Sequence, residues 1–360
     1  MNFSDQSLTR LATAVLTQAG ADPVAAAICA AHLVEANLKG HDSHGVQLLP
    51  AYVRWISDGR VFPNRHASIT HDRGAVVAMD GEFGLGQVVG LDAVQVAIER
   101  ARRLGIACVG LRNAGHLGRI GAYAEACAEA GLVSMHYVNV VGHAPTVAPF
   151  GGRLPRMVTN PYCCAVPRPD GRHVVVDFAT SAVSIGKIRT AYMRGERAPE
   201  HALVDADGHT TTDPGTLFTA ERRGHLLPFG QHKGGGLQIL CELLGGALAG
   251  HWTIRSPGRA DYGATINNML SIVLDPDAFG GRDHFEREVT AMVDGLRDTP
   301  PAAGFECVQL PGDPERAAMA ERRARGIDID DNTWASLTRC AVSLGIAETA
   351  LPTVCAAQNR

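Results

Sequence analysis

The chain has 360 residues, 46% of them hydrophobic, and a net charge of -4, which is enough for a sizeable core in one large or two interleaved domains. Its many arginines are scattered among the acids and not gathered in blocks, so the charge pattern excludes an electrostatic footprint for nucleic acid and favours a small polar ligand. Nine cysteines, an odd number without any C-x-x-C pair, argue against a disulfide framework and a thiolate zinc site.

The opening MNFSDQSLTRLATAVL has no basic flank before an apolar core. No apolar run reaches the roughly 18 residues of a membrane span, so a cytoplasmic chain without membrane contact is expected. Leu8, Leu11, Ala12, Val15 and Leu16 recur at helical spacing. Asp22-Pro23 supplies an N-cap and first helical residue for a second helix, which Gly40 can end. A third helix is expected from near Val46, with Leu48, Leu49, Tyr52, Val53 and Ile56 on one side. From about Ala67 the pattern turns to β-type runs, ASITH, AVVAMD, IACVGL, VVVDFA and MLSIVL, separated by helical stretches at 88–104, 120–130 and 236–250. That alternation predicts an α/β domain. After LPGDPE at 310–315, helical character returns at 315–325 and 333–344, so the end of the chain is expected to close onto its helical start.

Several loops carry candidate chemistry. Residues 41–44 bring His41, Asp42, Ser43 and His44 together just before the third helix. Gly84-Leu85-Gly86 follows a strand-like run, but the third glycine of a dinucleotide fingerprint comes one residue late, at Gly90, and no acid ends the next strand; this reads as a structural turn. At 113–131 a strand leads through a glycine-spaced loop into a helix with Ala122, Ala126 and Ala130, whose N-terminus is a natural anion site. His116 precedes it, either as a neutral base or as a capping or turn histidine. Thr159 and Asn160 precede Pro161 in a ligand-lining type of turn. Asp177 ends VVVD just before Thr180 and Ser181, where it can meet a ligand or cap a helix. Lys233 stands before three glycines and a helix bearing Leu237, Leu240, Leu244 and Leu248. It lacks Walker A spacing, and a phosphate or ribose contact and a solvated lysine are both open.

In this order SHGV at 43–46 with Tyr52, GHLG at 115–118, TNP at 159–161, DFATS at 177–181, DADGHTTTDP at 205–214, PFGQHKGGGL at 228–237, NNML at 267–270 and LPGDPE at 310–315 resemble the malate/L-lactate/ureidoglycolate dehydrogenase family. The resemblance covers nearly the whole chain. It implies a non-Rossmann α/β fold in which residues 71–310 form a mixed-sheet cofactor domain, and 1–70 with 311–360 a helical substrate and dimerisation domain. It also implies hydride transfer between NAD or NADP and a small 2-hydroxy or 2-oxo acid, usually in a homodimer. On the same ground His44 is the first candidate for proton donor or acceptor, oriented by Ser43, with His116 the second. His116, Leu117, Gly118, Thr159, Asn160, Asp177, Phe178, Ala179 and Lys233 are implied cofactor contacts, and Leu48 and Tyr52 substrate contacts.

Two departures bear on the substrate. Many members carry an arginine where this chain has Leu48, able to hold a carboxylate with two hydrogen bonds. Arg54 and Arg119 are candidate replacements. Members that reduce cyclic imino acids tend to carry an acid after the glycine following DFATS, whereas Gly186 is followed by Lys187, which favours hydroxy acids. Three alternatives stand beside the leading one: an NADPH-dependent reductase of cyclic imino acids, a ligand-binding family member with altered catalysis, and a metal-dependent hydrolase using His41, Asp42 and His44.

Overall fold

The computed structural model describes residues 1–218, 224–250, 252–258 and 261–352, with the side chain of Thr190 left aside. A short strand β1 (Asn2–Phe3) opens the chain. Helix α1 (Asp5–Gln18) follows, started by the Ser4 hydroxyl accepting from Ser7 N–H, and it buries the expected face of Leu8, Leu11, Ala12, Val15 and Leu16. In α2 (Pro23–Leu38) the Asp22 carboxylate accepts from Val24 and Ala25 N–H at 2.9 Å each. The third helix starts later than expected. Residues 42–44 and 46–48 are single 3-10 turns, and α3 spans Leu49–Ser57. Pro50 accounts for this start, because its ring is tolerated in a first helical turn and not deeper.

An edge hairpin follows, β2 (Ser68–Arg73) and β3 (Val76–Asp80), then α4 (Gly86–Leu104) and β4 (Ile106–Gly115). Next come α5 (Gly121–Glu129), β5 (Val133–Val141), β6 (Pro161–Val166) and β7 (Val174–Ala179). Helix α6 (Ile185–Arg194) and short strands β8 (Leu203–Val204), β9 (Thr210–Thr211) and β10 (His225–Leu226) lead to α7 (His232–Leu240), which continues as a π-helix over Cys241–Ala249. Strand β11 (Ile266–Leu274) returns to the centre of the main sheet before α8 (Arg282–Arg297), α9 (Asp313–Arg325), β12 (Ile327–Asp328) and α10 (Asp331–Ser343).

The main sheet has seven strands in the order β2-β3-β4-β11-β5-β6-β7. Only β3 and β4 pair in parallel, with α4 as their crossover; the remaining pairs are antiparallel. This is the non-Rossmann, mixed-sheet α/β arrangement that the sequence leads one to expect. Strands β5 and β6 and helix α8 are additions to the sequence reading. Pro161 suggested only a turn, yet it is the first residue of β6, where proline costs little.

Both chain ends meet in one core. β1 pairs with β12, Phe3 stacks on Trp334 at 4.3 Å, and Leu8, Leu33, Leu49, Ile327 and Leu337 bury together. A second core under the sheet includes Val109, Leu111, Leu117, Tyr123 and Met269.

One helix face is the reverse of its apparent pattern. On the α7 and π-helix segment Gln238, Glu242, Gly245 and Gly246 are buried, whereas Leu240 and Leu248 are 46% and 68% exposed. The glycines explain it. A Cβ on Gly245 would lie 2.7 Å from the Tyr137 carbonyl oxygen, so the glycine side seats against the sheet and the leucines face outward. The three glycines after Lys233 lie inside α7, not in a loop before it.

Candidate functional site

Two histidines from distant parts of the chain form the centre. His44 ends the turn at 42–44, and its ring lies 5.4 Å from the ring of His116 at an interplanar angle of 10°. Asn37 on α2 fastens the turn, accepting from Val46 N–H at 2.9 Å and donating to Asp42 at 2.7 Å. Asp42 is held by Arg322 of α9 at 2.6 and 2.9 Å, and His41 reaches Glu315 at 3.2 Å. His41 and Asp42 are thus turned to the C-terminal helices and away from a joint metal site with His44. No group of three His, Cys, Asp or Glu side chains that could hold a metal ion occurs among the described residues. Ser43 is exposed and makes no hydrogen bond to His44 among the described residues, so the orienting bond expected of it is not formed. Leu48 packs against the helical core.

His116 follows β4 and is fixed by Tyr52, whose hydroxyl lies 2.7 Å from His116 Nδ1. The loop beneath it leaves no spare room. A Cβ on Gly86 would lie 2.2 Å from the His116 carbonyl oxygen, so the Gly84-Leu85-Gly86 segment is the backbone support of GHLG. From the other side Asn267 accepts from Leu117 N–H at 2.8 Å, and His32 accepts from Arg119 N–H at 3.1 Å. The buried Tyr123 hydroxyl donates to the Leu117 carbonyl at 2.7 Å.

Burial disfavours the charged imidazoles. It brings His44 down to about 4, helped by His41 and Arg119, and His32 to about 3; His116 is held well below the usual histidine range by burial and then by His44, His32 and His143. His136, on β5, is lowered by burial to about 4. In the unfolded chain these rings bind protons near pH 6.5 while the folded chain does not, so stability is lost as pH falls from 6.5 towards 4. Urea unfolding at pH 7 and pH 5 is expected to show a loss of about 2 kcal/mol for each such histidine, several kcal/mol in all. A stability unchanged over that interval would contradict the neutral, buried imidazoles.

The other motifs converge along β6 and β7. Cys163 pairs with Asp177 and Tyr162 with Phe178, Thr180 N–H donates to the Thr159 carbonyl at 3.0 Å, and Phe229 N–H donates to Thr180 at 3.0 Å. Phe178 meets the Phe229 ring edge-on at 5.1 Å. TNP, DFATS and PFG therefore form one surface, with Ala179 paired to Pro161 within it. Asn160 is fully buried, accepting from Val140 N–H at 3.1 Å and donating to Glu242 at 2.7 Å, so its side chain belongs to the scaffold. Lys233 is exposed in the first turn of α7. Beside that turn a cavity of about 530 Å³ is lined by Phe150, Arg153, His201, Pro228 and Gln231; neither His44 nor His116 lines it.

The anion position expected at the start of α5 is filled by the chain itself, since Asp177 accepts from Gly121 N–H at 2.8 Å. Burial raises the Asp177 carboxyl against the opposing pull of Arg119, 3.8 Å away. Arg119, only 2% exposed, also bonds Glu125, which takes Lys39 Nζ at 2.6 Å. Arg119 is thus committed to internal carboxylates, and Arg54 lies on the exposed side of α3. The sequence reading passed over Cys29, His32, Gln87, Glu125, Asn139 and Glu242. Each is an ordinary helix or strand residue by pattern, and only its partners distinguish it.

The chain is similar to known proteins over nearly its whole length. Residues 3–338 match the family model described as malate/L-lactate dehydrogenase. The chain is 43% identical over 348 residues to an L-lactate dehydrogenase of Cupriavidus necator, covering 96% of this chain and 99% of that one. It is 39% identical over 354 residues to hydroxycarboxylate dehydrogenase B of Escherichia coli K12, covering 98% and 97%. Among solved structures it is similar to the sulfolactate dehydrogenase of Methanocaldococcus jannaschii, with a TM-score of 0.88 and 32% identity over 98% of this chain and 99% of that one.

Proposed function

The chain belongs to the malate/L-lactate dehydrogenase family and is an oxidoreductase acting on a CH-OH group, and from that membership we propose that it interconverts a small 2-hydroxy acid and its 2-oxo acid with NAD or NADP. The stacked pair His44 and His116 carries the reading. Oxidation of a hydroxyl releases a proton to a base within about 3 Å, and a neutral imidazole stacked at the site can take it near pH 7; in the reducing direction the same ring first binds a proton from solvent and then gives it to the alkoxide. His44 is assigned the proton, and its buried Nδ1 has no hydrogen-bond partner among the described residues. A bound nicotinamide supplies or accepts the hydride.

The residues present fit such a cofactor. The Thr159-Asn160 turn and Asp177, Phe178 and Ala179 lie together along β6 and β7, the loop of His116, Leu117 and Gly118 leads to the Gly121 N–H that bonds Asp177, and these segments are assigned to the cofactor, with the exposed Lys233 at the start of α7 as a cation for phosphate. Tyr52 and Leu48 are assigned to the substrate side. Lys187 lies exposed in the first turn of α6, where imino acid reductases of the family tend to carry an acid, which supports a hydroxy acid.

A homodimer is part of the proposal, supported by the outward stripe of Ile239, Leu240, Leu243 and Leu248. The described cysteines are free, which suits the cytoplasm, and no helix among the described residues is long and apolar enough to cross a membrane. The test is oxidation of NADH and NADPH against a panel of 2-oxo acids and cyclic imines, on protein sized by sedimentation. Turnover of a 2-oxo acid by a species of two chains is expected. Turnover of imines alone, or no cofactor oxidation with any substrate, would overturn the reading.

A further inference from the structure

Behind His116 lies a chain of hydrogen bonds with one direction. Gln87, on α4 and fully buried, lies between Cys29 and Tyr52: the Cys29 thiol is 3.3 Å from Gln87 Oε1, and Gln87 Nε2 is 2.8 Å from the Tyr52 hydroxyl oxygen. A thiol buried among apolar groups stays protonated and donates, which turns the amide oxygen of Gln87 towards Cys29 and its NH2 towards Tyr52. Tyr52 then receives a proton donor on its oxygen and spends its own hydrogen on His116 Nδ1 at 2.7 Å; the alternative acceptor, the His116 carbonyl, is 3.4 Å away. The hydroxyl has no reason to ionise, because burial raises it well above the ordinary phenol value.

We propose that Gln87, acting through Tyr52, sets the tautomer of His116, so that His116 presents Nε2–H to the substrate oxygen as a neutral hydrogen-bond donor and leaves proton transfer to His44. Gln87 is a positioning residue. The inference rests on the functional reading above for the words "substrate oxygen", but the tautomer itself does not. Protonation of Nδ1 would bring two donors, Gln87 Nε2–H and His116 Nδ1–H, onto one hydroxyl oxygen and send the tyrosine hydrogen to the distant carbonyl. The arrangement therefore opposes the imidazolium, as do burial and the neighbouring histidines: His44 on the turn at 42–44, His32 on α2, and His143 after β5; Cys29 on α2, a protonated thiol, adds no charge. The two histidines thus divide the work: a donor that stabilises negative charge on oxygen and a neighbour that exchanges the proton.

The decisive measurement is two-bond 1H–15N correlation on protein labelled at histidine nitrogen, without substrate or cofactor. The His116 signals are identified by their absence in H116N. The wild type is expected to show the neutral Nε2–H pattern throughout the neutral pH range. In Q87E the carboxylate accepts the Tyr52 hydrogen, Tyr52 oxygen becomes an acceptor for Nδ1–H, and the pattern should invert or titrate at higher pH. In the Y52F background Q87E should leave His116 unchanged. In turnover Q87E should lower kcat at least about tenfold, with KM within about threefold. A wild-type Nδ1–H tautomer, or an unchanged His116 pattern in folded Q87E, overturns the proposal. If Q87E does not fold, the wild-type tautomer and its change in Y52F still decide. The expected tautomers without any turnover would overturn the functional reading and leave this inference standing.

Discussion

H44A should lose kcat by about a hundredfold to ten-thousandfold while binding of NADH or NADPH, read by fluorescence, stays within about threefold of wild type. The expectation follows from geometry. His44 closes a turn held by Asn37 and Arg322, and neither contact involves the imidazole, so removing the ring leaves the turn in place. The ring stacks on His116 and its Nδ1 has no hydrogen-bond partner among the described residues, which keeps the structural cost small. Turnover that survives in H44A would transfer the proton role to His116. Loss of cofactor binding in parallel would make His44 a binding residue. H44N is the companion variant, since it keeps a polar side chain and removes the titratable nitrogen.

R119M is expected to unfold more easily by about 3–5 kcal/mol in urea, the usual result of removing one partner from a buried ion pair. Arg119 is 2% exposed, bonds Glu125, and lies 3.8 Å from Asp177, whose carboxyl is already raised by burial. Without the guanidinium, Glu125 retains Lys39, whereas the hydrogen bond that Asp177 retains among the described residues is from the Gly121 N–H. Asp177 then either ionises without a counter-charge or takes a proton and loosens its hold on α5 and the loop bearing His116. R119K should recover only part of the loss, because an ammonium cannot span both carboxylates as the guanidinium does. A folded R119M within about 1 kcal/mol of wild type, with KM raised for the 2-oxo acid, would show instead that Arg119 serves as the carboxylate clamp in place of Leu48.

Much of the site was legible because its chemistry lies in short motifs. GHLG, DFATS and PFGQHK each combine glycines or a helix start with one chemically distinctive side chain; the structure sets DFATS against TNP and PFG, and Arg119 and Gly121, just after GHLG, meet Asp177. The fold class was legible from alternation of apolar periods. The errors have particular causes. The resemblance implies Ser43 as the orienting partner of His44, yet in the 3-10 turn its side chain is exposed and makes no hydrogen bond to His44 among the described residues. The leucines after Lys233 recur at helical spacing, yet the interleaved glycines give the opposite side the closer approach to the sheet. Spacing shows that a helix has two faces; it does not say which one is covered.

By itself the sequence determined the caps, turns and apolar faces of most elements and the family to which the chain belongs, because these depend on residues near one another along the chain. Only the tertiary structure decided what those residues do for each other. The pairing of His44 with His116, the commitment of Arg119 to Glu125 and Asp177, and the line from Cys29 through Gln87 and Tyr52 to His116 join residues from separate segments of the chain. Hydrogen-bond direction and the cost of a buried charge depend on which groups surround a side chain in three dimensions, and that environment exists only once the segments have packed.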